Sequence, residues 1–200
     1  MLIQLIDYTK NKDIIANKDN IIEILNKYEI NTYLRLIHFF SQVHHETNGF
    51  TRFCENLNYS AKRLMQVWKS RFKTIEFAKE YEYQPEKLSN YVYAGYHGRG
   101  WLQISLKRNY EYYSKILFNN MRLVNNPDLL LNHLYGCECS CIFWKENNIN
   151  KFADDNDLFN VSRLINNQSA KTADKIVGYN ARKIILDNYN KHFIEFANNT

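Results

Sequence analysis

Glycine and proline are scarce, six and two in a chain of 200 residues. That shortage argues against a turn-rich β architecture and favours helices. Long apolar runs are missing too. The opening MLIQLID runs only six residues before Asp7, too short for a signal peptide or a membrane span. No block of five or six like charges occurs, so no nucleic-acid-binding arm is expected. The four cysteines form neither a C-x-x-C pair nor a zinc knuckle. Cys137, Cys139 and Cys141 alternate in one apolar stretch and Cys54 stands apart, which reads as free thiols, mostly buried, in a reducing compartment.

What is present is a globular composition of one-domain size, with 45% apolar residues, 15 Tyr and 12 Phe. We expect a single domain over residues 1–200, monomeric, made in the cytoplasm and without stable membrane insertion. Lys and Arg number 26 against 21 Asp and Glu, a net charge of +5. A mildly biased solvated surface accounts for that balance, and so does attraction to an acidic polymer such as a cell wall.

The apolar pattern predicts helices over residues 19–28 and 32–47, the second with Thr32 as N-cap and Gly49 as its stop. Ser60 and Thr74 are read as caps of helices through about Trp68 and Tyr83, and Pro85 suits the first turn of the next. Further helices are expected at 106–118, from Pro127 through the cysteine stretch to about Lys145, at 157–166 and at 171–190. Residues 95–105 (GYHGRGWLQIS) break the pattern with three glycines in six residues. They predict a tight loop and a brief extended segment.

Chemistry concentrates in three segments. The first is His44-His45-Glu46-Thr47-Asn48-Gly49. A zinc-protease motif would need a second histidine where Gly49 stands, so no metal site is expected. Glu46 ends an apolar helix, where the partial negative charge of the helix terminus disfavours an anion by roughly 0.3–1 kcal/mol. Desolvation against a ring such as Phe50 would add to this, making a proton donor. The second is Glu55, nine residues on, in an expected loop. Two carboxyl groups flanking a cleft are what glycoside hydrolysis requires. The third is Tyr96 through Ser105, followed by Asn109 and Tyr110. Its aromatic, amide and hydroxyl groups suit stacking and amide recognition on N-acetyl sugars, with glycine allowing close backbone approach. Taken singly, each glutamate fits a solvated surface residue better than a catalytic one.

Together these segments resemble the chitinase/lysozyme-like glycoside hydrolases of family 19, particularly phage-type endolysins. The resemblance rests on QVHHETNGF, ENLNYSA and YHGRGWLQIS followed by NY, then NNPDLL, CIFWK, RLINN and ADKIVGY, in order from about Phe40 to Tyr179. It implies a mostly α, lysozyme-like two-lobed helical fold with a central substrate cleft, and an inverting mechanism with neither metal nor cofactor. It assigns Glu46 as general acid and Glu55 as the base that activates water. Ser105 would help hold that water. Tyr96, Gln103, Asn109 and Asn166 would contact substrate. Lys175 stands where the family commonly has Arg, and Ile165-Asn166-Asn167-Gln168 lacks the usual glycines. An Arg grips a carboxylate bidentately where a Lys is a point charge, so the network around the acid should differ.

Three functions fit this reading. The first is an endolysin cutting β-1,4 bonds of peptidoglycan, reaching the wall after release from the cell. The second is a chitinase with the same chemistry on a neutral polymer. The third is a wall-binding module that no longer cuts.

Overall fold

A computed structural model describes residues 1–198. The fold is mostly helical. Among the described residues the β-type pairings are two isolated bridges, Cys54 with Arg99 and Arg99 with Ile104, which is the brief extended segment expected around residues 95–105. None of the described helices is long and apolar enough to cross a membrane.

The chain divides into two compact units. The first comprises Met1–Phe53, Gly100–Leu102 and the chain from Leu130 onward. It opens with α1 (Leu2–Tyr8), α2 (Lys12–Ala16) and α3 (Lys18–Lys27), followed by α4 (Tyr33–Glu46). Thr32 caps α4, its side chain accepting from the Arg35 N–H. Residues 36 to 43 of α4 are all buried, so this helix is a core element on every side rather than an amphipathic surface helix. Phe39 and Phe40 pack against Trp101, and Phe39 edges onto Trp144.

The second unit, residues 54–99 and 103–129, has its own apolar cluster around Leu64, Phe72 and Leu88. Its helices are α5 (Ala61–Val67), α6 (Ile75–Lys79), α7 (Pro85–Tyr93), α8 (Lys107–Phe118) and α9 (Arg122–Asn125). Ser60 and Thr74 cap α5 and α6, and Pro85 opens α7. α6 stops at Lys79, short of the expected Tyr83.

The first unit resumes with α10 (His133–Glu146), α11 (Ile149–Asp154), α12 (Leu158–Asn166) and α13 (Tyr179–Asn198). α13 and α4 share the most extensive helix–helix seam of the molecule. The expected single helix from Pro127 to Lys145 is in fact a 3-10 turn, Pro127–Leu131, followed by α10. Asn132 makes the break, because its side chain accepts from the N–H groups of Leu134 and Tyr135 and so starts a new helix. The predicted last helix likewise begins later and runs further, after a short 3-10 turn at Ala173–Lys175. α1, α2 and α11 are helices that the periodicity did not announce, each of seven residues or fewer.

Candidate active site

Glu46 occupies the last turn of α4. The helix ends in a double reversal, with Asn48 at φ +50° and Gly49 at φ +71°. The Gly49 N–H reaches back to the His44 carbonyl at 2.8 Å, and the Thr47 hydroxyl both donates to Val43 O and accepts from Phe50 N–H. This is a Schellman-type stop in which Asn48 takes the left-handed position. Gly49, expected to end the helix, follows it.

The Phe50 ring packs on Phe40 and His44, while the Glu46 carboxylate faces a cation. Arg182, in the first turn of α13 and 1% exposed, donates through Nη2 to Glu46 Oε1. Its Nη1 donates to Gln42 Oε1 at 2.5 Å and its Nε to the Val177 carbonyl at 3.3 Å. Three of the guanidinium's donors are thus satisfied by buried or half-buried acceptors, which is the condition for burying a charge. The half-buried His45 next door has its pKa lowered, first by burial and then by the Arg182 charge. Gly178 lies against that ring at φ +71°, where a Cβ would come within 2.5 Å of His45 Cε1.

Asn166 and Lys175 belong to the same unit. Asn166 ends α12, and its Oδ1 accepts the Val177 N–H at 2.8 Å. Lys175 is exposed and pairs with its neighbour Asp174 at 3.0 Å, and its carbonyl accepts from Asn167 Nδ2. The asparagines of the altered 165–168 segment therefore hold residues 175–177 through the backbone, and those residues in turn carry the carbonyl that Arg182 grips. The guanidinium on Glu46 comes from position 182 rather than from position 175.

Arg182 was missed in the sequence, yet a signal existed. Arg182, Leu186, Tyr189 and Phe193 are spaced by four, three and four, and all are buried. A charged residue within the apolar stripe of a helix demands a buried partner.

In the second unit, Glu55 is fixed from three directions. Its N–H donates to the Gly98 carbonyl at 2.8 Å. The Gly98 N–H returns a bond to Glu55 Oε2 at 3.0 Å, and the Tyr93 hydroxyl donates to Oε1 at 2.9 Å. Gly98 packs closely on Gln103, since a Cβ there would lie 3.0 Å from Gln103 Oε1. The close approach expected there for a ligand is made by the chain's own Gln103 side chain.

A buried cation underlies this loop as well. Arg99, 7% exposed, pairs with Asp128 at 2.8 Å and donates to the carbonyls of Gly95 and His97. Tyr110 adds its hydroxyl to the same His97 carbonyl at 2.8 Å. The His97 ring sits between Ser89 Oγ at 2.6 Å and Cys54 Sγ at 3.2 Å. Burial, followed by the Arg99 charge, lowers the His97 pKa to about 4. Burial raises the Cys54 thiol, so the pair is a neutral one and not an activated thiolate.

Tyr96, Gln103, Ser105 and Asn109 gather on the same loop and the helix that follows. The Leu106 N–H bonds to the Tyr96 carbonyl, and Asn109 Nδ2 to the Ser105 carbonyl at 2.7 Å. Gln103 stands at φ +53° and is half-buried. Tyr96 edges onto Tyr110 and donates to the Val124 carbonyl. These four residues and Glu55 therefore share one framework, and Glu46, Asn166 and Arg182 share another. Among the described residues no cluster of three or more histidine, cysteine or acidic side chains has the arrangement of a metal site.

A family profile described as chitinase class I, for glycoside hydrolase family 19, matches residues 12–190. A protein of Haemophilus influenzae described as a glycosyl hydrolase family 19 domain-containing protein is 33% identical over 142 residues, covering 64% of this chain and 68% of that protein.

Proposed function

Because the chain belongs to glycoside hydrolase family 19, we propose that it cuts the β-1,4 bonds of peptidoglycan glycan strands by an inverting mechanism. As a family member it is a glycoside hydrolase of the chitinase/lysozyme type acting on polysaccharide. The finer assignment gives Glu46 the role of general acid and Glu55 that of the base. Arg182 takes Oε1 of Glu46, and Oε2 carries the proton delivered to the leaving oxygen. Glu55 takes a proton from the water that attacks the anomeric carbon. Ser105, Gln103, Asn109 and Tyr96 line the sugar path beside Glu55, and Asn166 and Lys175 contribute beside Glu46.

The observation that carries this reading is the treatment of the two carboxylates. Each is partly exposed yet oriented by donors from elsewhere in its own unit, Arg182 for Glu46 and Tyr93 with Gly98 for Glu55. Glu46 takes a charged donor on one oxygen and Glu55 one donor on each oxygen, which fixes the direction in which each carboxyl group presents its remaining acceptor sites. The net charge of +5 favours an anionic wall polymer over neutral chitin. The protein would be made in the cytoplasm, act as a monomer and reach the wall after release.

The deciding experiment is mass analysis of fragments released from purified peptidoglycan, run beside chitin oligomers at equal enzyme concentration. Disaccharide-peptide products with a newly formed reducing end, in the α configuration expected of inversion at a β bond, are the expected result. Faster turnover of chitin oligomers would move the assignment to a chitinase. Binding to sacculi without release of reducing sugar would leave a wall-binding module.

A further inference from the structure

We propose that Tyr93 is a positioning residue of the hydrolysis, holding the Glu55 carboxylate in the one orientation from which it can take a proton from water. The proposal rests on the reading of Glu55 as the base.

The argument begins with lone pairs. A carboxylate offers about four acceptor sites, two per oxygen. The Gly98 N–H occupies one on Oε2 and the Tyr93 hydroxyl one on Oε1. One donor on each oxygen removes rotation about the last side-chain bond and leaves one acceptor direction per oxygen for water. A base free to swing would spend much of its time out of line with its proton, and alignment is a large part of what an active site contributes.

The two donors differ in kind. Gly98 belongs to the loop on which Glu55 already leans, since the Glu55 N–H bonds to the Gly98 carbonyl. Tyr93 comes from a separate element, the C-terminal end of α7, and lies 38 residues from Glu55 in sequence. Its ring is held by Trp68, 6.3 Å away at 82°, and Trp68 is in turn edged by Tyr59. The hydroxyl is therefore placed before any substrate arrives. Burial and the nearby Glu55 carboxylate push the phenol well above its ordinary range, so it remains a donor at every working pH.

The test compares Tyr93→Phe, Glu55→Gln and the double variant in the full chain, with purified peptidoglycan sacculi as substrate and reducing ends as the readout. Tyr93→Phe keeps the ring against Trp68 and removes only the donor. It should lower kcat about 10- to 100-fold, less than the roughly 10²–10⁴-fold that the proton-transfer group itself supplies, with KM within about twofold and the melting temperature within a few degrees. In the Glu55→Gln background the same change should cost less than about twofold, because there is no base left to position. Wild-type turnover by Tyr93→Phe, a loss confined to KM, or losses that multiply in the double variant would each overturn the role of Tyr93 while leaving Glu55 in place. Wild-type turnover by Glu55→Gln would overturn the base assignment itself, and the proposal with it.

Discussion

Arg182 and Glu46 lie 136 residues apart in sequence and meet inside the first unit, Nη2 on Oε1, while Nη1 of the same guanidinium reaches Gln42. One cation therefore ties the end of α4 to the start of α13 along the seam where these helices pack. Removing one member of a buried pair costs about 3–5 kcal/mol. Because Glu46 keeps 18% of its side chain in water, Arg182→Met should fall near the lower figure. It should also abolish most activity, since Glu46 would lose its anchor. Arg182→Lys should fold better than Arg182→Met and turn over more slowly than wild type, because one ammonium cannot serve Glu46, Gln42 and the Val177 carbonyl in fork geometry. Urea midpoints for both variants check the first statement and initial rates the second. An unchanged midpoint for Arg182→Met would show the pair contributes nothing to the fold.

Glu46→Gln should keep the overall fold at a cost in stability, since the amide carbonyl can still accept from Arg182 Nη2 while the buried guanidinium loses its counter-charge. Turnover should drop roughly 10²–10⁴-fold, because an amide has no proton of suitable acidity to give. A turbidity assay on outer-membrane-stripped cells reads the loss, with circular dichroism to confirm folding. Lysis at the wild-type rate would remove Glu46 from the mechanism.

The local grammar of the fold was legible. Thr32, Ser60 and Thr74 cap the helices they were expected to cap, and Pro85 opens α7, because capping is settled within four residues of chain. The break at Asn132 is just as local and was overlooked, since the apolar run on both sides of it masks the cap. The partners of the two glutamates are another matter. Tyr93 and Arg182 carry no mark of their destination, which packing decides across 38 and 136 residues. Only the position of Arg182 within an apolar stripe hinted that its charge would be buried. Lys175, which stands where the family commonly has Arg, is exposed beside Asp174. Motif alignment compares positions along the chain, and here the guanidinium on Glu46 comes from seven residues further along.

Gly178→Ala should be costly for its size. The backbone there is left-handed at φ +71°, and the new methyl would fall 2.5 Å from the His45 ring. Left-handed backbone costs about 1–2 kcal/mol in an L-residue, and overpacking typically adds about 1–3 kcal/mol. A loss of about 2–4 kcal/mol in urea unfolding is expected. Activity should fall as well, because the preceding residue supplies the carbonyl that holds Arg182 Nε. A change below about 0.5 kcal/mol, the size typical of a neutral surface substitution, would show that the loop at 177–178 yields freely.

Stability should decline as pH falls from about 6.5 toward 4. His97 has its folded-state pKa lowered from 6.5 to about 4, and burial lowers His38, His44, His45 and His133 in the same direction. Above pH 6.5 these rings are neutral in both states and their contribution is complete. Between 6.5 and 4 the unfolded chain binds protons that the folded chain declines, so the unfolded state gains. Below about 4 the contribution of His97 is gone. Urea midpoints at pH 7.5 and 4.5 measure the decline, and His97→Gln should make it shallower than in wild type. Equal declines in the two proteins would mean that His97 titrates normally.

The thiols should separate into one and three. Cys137, Cys139 and Cys141 are fully buried in α10, and burial raises the pKa values of Cys139 and Cys141 far above the usual thiol range. Cys54 is half-buried with its sulfur 3.2 Å from His97 Nε2, and burial raises its pKa as well. A thiol needs both access and ionisation to react. With an aromatic disulfide reagent at pH 8, one equivalent should therefore react, slowly for a free thiol, and the other three only after urea is added. Cys54→Ser should abolish the first phase and leave the second. Because Cys54 adjoins Glu55 and touches the ring of His97, derivatising it should also lower turnover, most directly by forcing His97 away from Ser89 and disturbing the Gly98 bond to Glu55. If the modified enzyme keeps full activity, the 97–98 loop tolerates a bulky group on the sulfur and the Cys54–His97 contact does not help to set the base.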